Sequence, residues 1–230
     1  MAPLFASKRI LIAGGSNRLG LSLTRTLLGA GAQVIAVSEN PCPVPAQKGL
    51  TVIQACLSNV GAIAALAEVG NLNAAIVMVE NPVFVPNTFT LAHMFETLSE
   101  QQAVQVNALS GLPACLSASG GGTVLFVESV PATALPEPWR TIASSWNLSA
   151  RLSADGWSVH LAPLGVQARC IELPDLAHRP IESATQREML TEEVVERLTE
   201  RVLAALIESA QPASAAVWLA EAETEVTQQT

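Results

Sequence analysis

Residues 9–20 read Arg9-Ile10-Leu11-Ile12-Ala13-Gly14-Gly15-Ser16-Asn17-Arg18-Leu19-Gly20, and this stretch decides the fold. Arg9 to Ala13 is a short apolar run of the kind that forms a buried parallel strand. Glycines then mark a turn, Leu19 to Leu28 follows helical spacing, and Gly29-Ala30-Gly31 stops the helix. Gln33 to Val37 is a second apolar run. The opening forty residues therefore predict strand, glycine turn, helix, strand: one βαβ unit.

The alternation continues outward from that unit. Strands are expected at Leu50 to Gln54, Ala74 to Val79, Thr123 to Val127 and Trp157 to Ala162. Helices are expected at Val60 to Val69, Ser99 to Ala118 and Trp139 to Ala154. Repeated βα units of this length imply a doubly wound parallel sheet with helices on both faces, a three-layer α/β/α domain. An amphipathic acidic helix at Thr191 to Ser209 and a last strand at Ala215 to Leu219 complete a single domain over residues 1–220, with 221–230 as an acidic frayed tail. Pro131 to Pro138 and Leu173 to Thr185 are the longest irregular stretches, and such loops border the ligand site in doubly wound folds.

Composition narrows the function. Of the 230 residues, 50% are hydrophobic and 14% charged, enough apolar material for a full core. The formal net charge of −8 argues against a nucleic-acid partner. No apolar stretch approaches the ~20 residues of a spanning helix, so no membrane partner is expected. The four cysteines (Cys42, Cys56, Cys115, Cys170) are scattered without a CxxC pair, so they read as reduced thiols of a cytoplasmic protein, with no metal site. Two further counts bear on chemistry: the chain has no Tyr, and its lysines are Lys8 and Lys48.

A glycine turn at the first βα junction lets backbone N–H groups and a helix N-terminus face a pyrophosphate. Gly14 would permit the turn, and Gly20 would let the helix pack closely on the sheet. The spacing is not GxGxxG. It resembles the TGxxxGxG turn of the short-chain dehydrogenase/reductase family, with Arg18 in place of the middle Gly, as in the family's pteridine-reductase-like branch. Gln105-Val106-Asn107-Ala108 resembles the family's helical VN segment. Val124 to Ser129 resembles its strand ending in the active-site Ser, and Val159 to Gly165 its VNxVxPG segment. The resemblance runs to about residue 220 and implies a Rossmann-like fold, an NADP or NAD cofactor, and oligomers built through the helices at Ser99 to Ala118 and Trp139 to Ala154. The implied cofactor contacts are Gly14, Ser16, Asn17, Arg18, Leu19, Gly20, Ser38 and Glu39. Arg18 favours NADP, whereas Glu39 would repel a 2′-phosphate and favour NAD.

The family's chemistry resembles a proton relay through Asn, Ser, Tyr and Lys. Asn107 and Ser129 fill two slots. The YxxxK pair corresponds to Thr141 and Ser145, and neither hydroxyl replaces a tuned phenol beside an ammonium. Glu128, as a desolvated acid, and Arg140, as an oxyanion partner, are the substitutes nearest those slots, although the two also fit a surface ion pair. His160, expected within a strand, reads as a packing residue. His93 and His178 fall in expected loops. Trp139 and Trp146 read as helix-packing or subunit-interface residues. Cys56 stands where the family has an Asp beside adenine, and Pro82 reshapes the loop Val79-Glu80-Asn81-Pro82.

These departures predict a catalytically degenerate protein of this family, associating with itself or with an active paralogue in a mixed oligomer. The alternative is an atypical NAD(P)-dependent oxidoreductase acting on a small carbonyl, imine or conjugated substrate. A third reading has the fold reused for a non-redox ligand, with the pyrophosphate site abandoned and no cofactor.

Overall fold

The computed structural model describes residues 2–79, 91–129, 139–173 and 192–209. The elements run α1 (Ala2–Phe5), β1 (Arg9–Ala13), α2 (Arg18–Gly29), β2 (Gln33–Ser38), β3 (Leu50–Gln54), α3 (Ala62–Ala67), β4 (Ala74–Val79), α4 (Leu91–Ser117), β5 (Gly122–Ser129), α5 (Trp139–Leu161), β6 (Val166–Leu173) and α6 (Glu192–Glu208). The strands form one parallel sheet in the order β3-β2-β1-β4-β5-β6. The chain reverses its direction of winding between β1 and β4, where Ala13 stands in register with Val37 on one side and Val77 on the other.

Both faces of the sheet are covered, which is why its central strands read as unbroken apolar runs. Alternate side chains serve opposite layers. Leu11, Ala13, Ile35, Val37, Val77, Val124 and Phe126 pack with α3, α4 and α5. Ile10, Ile12, Val34, Ile76, Leu125 and Val127 pack with α2 and α6. On α6, Val195, Leu198, Val202 and Leu206 make the buried stripe, and Glu192 and Glu193 sit in its first turn, where negative charge suits the helix dipole.

One expected element is corrected. Trp157 to Ala162 is not a strand: α5 continues to Leu161, and the strand follows at Val166–Leu173. Trp157, Val159 and Leu161 do alternate with polar residues, but Ala154, Trp157 and Leu161 also recur at helical spacing and meet the core together. The longer period prevails because it buries a whole helix face. A single 3-10 turn at Ala162–Leu164 and Gly165, left-handed at φ 69°, then end the helix. The segment Val159 to Gly165, matched to VNxVxPG, is therefore helix end and turn. His160 lies in the last turn of α5, exposed, with its ring edge-on to Trp157 at 5.8 Å. His93 lies within α4 rather than a loop. The expected strand Ala215 to Leu219, the tail 221–230, Pro82, the stretch Pro131 to Pro138 and His178 all lie outside the described residues.

Among the described residues, no helix is long and apolar enough to cross a membrane.

Candidate functional site

The carboxyl ends of β1, β2, β3 and β4 open into a cleft of about 200 Å3. Its walls come from the glycine turn (Gly14, Ser16), the end of β2 (Ser38, Glu39, Asn40), the segment after β3 (Ala55 to Ser58) and α4 (Glu100, Gln101, Val104). In a doubly wound sheet, the crevice beside the reversal of winding is where ligands bind.

The glycines behave as the turn requires. Gly14 is left-handed at φ 86°, and its N–H bonds Val37 O at 2.9 Å. A Cβ on Gly20 would lie 2.4 Å from Gly14 O and 2.9 Å from Gly15 Cα, so only glycine lets α2 seat this close to the turn. Asn17 is the N-cap of α2, its Oδ1 accepting the Gly20 N–H at 2.7 Å. Its side-chain oxygen is thus engaged within the helix. Arg18 is the exposed first residue of α2 and is not among the residues lining the cleft. Leu19 packs partly into the core below the turn.

Ser38 is buried, its hydroxyl donating to Asn40 O. Glu39 is exposed at the rim, and its backbone carbonyl accepts from Gln54 Nε2 at 3.1 Å. Glu100 adds a second carboxylate to the lining, and among the described residues no Lys or Arg joins it. Cys56 also lines the cleft, 2.9 Å from Ser58 Oγ.

The catalytic candidates lie on α4, β5 and α5. Asn107 is buried, and its Nδ2 donates to Leu57 O at 2.7 Å, tying α4 to the cleft wall. Thr141 and Ser145 are exposed, and Ser145 Oγ returns to Thr141 O at 2.8 Å. Ser129 is the last residue of β5 and Arg140 the second of α5. Lys8 and Lys48 precede β1 and β3 respectively, so both stand at the amino ends of the strands, opposite the cleft. With no Tyr in the chain, a Tyr–Lys relay has neither of its members at this edge.

Glu128 corrects the surface ion-pair reading. It is 5% exposed, and it accepts a hydrogen bond from Gln105 Nε2 at 2.8 Å. Burial pushes its carboxyl up to about 7; the Cys170 thiol beside it lowers it, Glu172 raises it and Arg151 lowers it. Arg151 itself pairs with Glu172. Burial, and then the facing Glu128, likewise raise the Cys170 thiol. Among the described residues, no group of three His, Cys, Asp or Glu side chains is placed to hold a metal ion.

The fold matches a group of solved structures. One is an oxidoreductase of the short-chain dehydrogenase/reductase family from Burkholderia thailandensis, with TM-score 0.68, 16% identity, and coverage of 92% of this chain and 88% of that one. The chain has the short-chain dehydrogenase/reductase fold. A short-chain dehydrogenase from Burkholderia cenocepacia in complex with NADP shares it at TM-score 0.64 and 22% identity over 88% of this chain and 85% of that one. A short-chain dehydrogenase from Leptospira borgpetersenii with bound NAD+ matches at TM-score 0.64 and 18% identity over 78% of this chain and 75% of that one. No protein-family model and no curated protein matches the chain.

The α4 wall of the cleft is the part that sequence reading missed. Glu100, Gln101 and Val104 carry no motif; their signal is only that Gln101, Val104, Gln105 and Ala108 share one buried or half-buried helix face.

Proposed function

We propose that this protein is a catalytically degenerate member of the short-chain dehydrogenase/reductase fold group, which keeps a dinucleotide cleft and acts as a regulatory or structural subunit. One observation carries the reading: the cleft persists at the carboxyl edge of the sheet, while the chain has no Tyr and both lysines stand at the opposite edge.

The cleft fits the adenosine half of a dinucleotide. An added Cβ at Gly14 or Gly20 would meet Met78, Asn17 or the turn's own backbone, so the glycines keep the turn compact beside the cleft. Gly14 and Gly15 N–H are committed to Val37 O, so phosphate contacts fall to the Ser16, Arg18 and Leu19 end of α2. Glu39 and Glu100 would face the ribose side, which supports NAD over NADP, because a 2′-phosphate would enter against two carboxylates. The bound group would supply hydride chemistry, and these residues bind and orient it.

Exposed apolar side chains support the subunit role. Phe95 and Val106 on α4, and Leu148, Leu152 and Val159 on α5, are 48–78% exposed. Large apolar side chains gathered on two neighbouring helices suit burial against a second copy or an active paralogue. The second reading, an atypical oxidoreductase, is favoured by one observation: the Glu128 carboxyl, one residue before the end of β5, is pushed up to about 7, into the range of a general acid.

Titration of the purified protein with NADH and NADPH, with consumption of the reduced nicotinamide followed in parallel, tests the proposal. Saturable binding without turnover on small carbonyl or imine substrates is expected. Turnover that falls on Glu128→Gln while binding persists would move the assignment to the atypical oxidoreductase.

A further inference from the structure

Gln105 and Gln101 lie one turn apart on α4, and both are buried. Gln101 lines the cleft together with Glu100 and Val104. Gln105 reaches the other way and donates to Glu128 Oε1 at 2.8 Å. The carboxyl of Glu128 is therefore the point at which β5 grips the α4 turn that walls the cleft. The carboxyl is buried, and among the described residues only the Gln105 amide and the Cys170 thiol bond it.

The surroundings decide which form of the carboxyl this grip tolerates. From α4 the facing group is the uncharged Gln105. On β6 the facing groups are the Cys170 thiol and Glu172, the register partner of Glu128. On β4 the register partner is Val79. From α5 the facing charge is Arg151, which is paired with Glu172 and has Asp155 nearby. An ionised Glu128 would hold the Gln105 N–H more tightly, but it buries a charge beside a second carboxylate whose cation is already shared. A buried charge in that position is relieved only by admitting water or moving the packed helix.

The geometry points to Glu128 as a proton-controlled positioning residue for the cleft: its neutral carboxyl anchors the α4 wall, and its ionised form releases it. The anchor stands on α4, β5 and β6 alone. Only its consequence for NADH rests on the cofactor reading above.

The test compares wild type with Glu128→Gln at about pH 4 and about pH 8.5, reading amide hydrogen exchange across residues 100–108. Matched pH cancels the intrinsic exchange rate. At the lower pH the two proteins should agree; at the higher pH the wild type should exchange roughly tenfold faster over this segment. Equal protection at both values would overturn the inference. If Glu128→Gln does not fold, carbon NMR titration of the wild-type carboxyl decides instead. Titration near neutrality, with the Gln105 side-chain amide shifting in step, supports the anchor, and titration in the ordinary glutamate range overturns it. NADH binding measured alongside should weaken at the higher pH in wild type alone. Absence of NADH binding at either pH would sink the cofactor reading, and the exchange comparison would still decide the anchor.

Discussion

Gly20→Ala tests the close seating of α2 on the turn. An added Cβ at residue 20 would stand 2.4 Å from Gly14 O, 2.8 Å from Met78 Cε and 2.9 Å from Gly15 Cα. Met78 Cε is the end of a flexible side chain and can move. The other two atoms are backbone of the turn itself, so the helix start must shift away from the strand. Overpacking of this kind costs about 1–3 kcal/mol, and the helical gain of Gly to Ala returns at most about 1 kcal/mol. Gly29, at the other end of the same helix, has nothing within 4 Å of an added Cβ. Gly29→Ala should therefore be neutral or stabilising by up to about 1 kcal/mol. Urea unfolding of the two variants against wild type gives both free energies, so the same substitution on one helix should act with opposite signs. A Gly20→Ala protein as stable as Gly29→Ala would refute the seating argument, and with it the shape of the proposed phosphate cradle.

The folded-state carboxyl of Glu128 is raised from 4.5 to about 7, so its neutral form stabilises the fold, and that contribution is lost as pH rises from about 4.5 through 7. The shift corresponds to roughly 3 kcal/mol. Unfolding midpoints of Glu128→Gln minus wild type should climb across that window, and a flat difference would count against it. Asn107→Ala leaves Leu57 O without its buried donor and should cost about 1–3 kcal/mol in chemical denaturation; a loss under about half of that would show the brace to be dispensable. Glu39→Gln should narrow any preference for NADH over NADPH in equilibrium binding, with an unchanged ratio arguing that Glu39 does not face the ribose. Thr141→Ala and Ser145→Ala, both at exposed positions, should leave NADH binding within error of wild type.

Most of the sheet was legible because parallel strands buried on both faces must be apolar throughout, and RILIA, QVIAV and AAIVMV are. The turn was legible because glycine is the residue that adopts φ 86° at Gly14 and accepts the contacts at Gly20. The boundary between α5 and β6 was not. Trp157 to Leu161 satisfies both periods, and β6, the last strand of the sheet among the described residues, is mostly only partly buried, so VQARCIEL carries no unbroken apolar run. The site was half legible. The absence of Tyr is a count, and it holds whatever the fold. The burial of Glu128 and the α4 wall depend on which helix lies across β5, a tertiary fact with no local signature.

The central claim is a retained nucleotide cleft in a chain without its relay. Calorimetric titration with NADH tests it most directly. The account predicts saturable binding at micromolar concentration, weakened for NADPH. No heat of binding up to millimolar NADH would contradict it and leave the fold serving only as a partner surface.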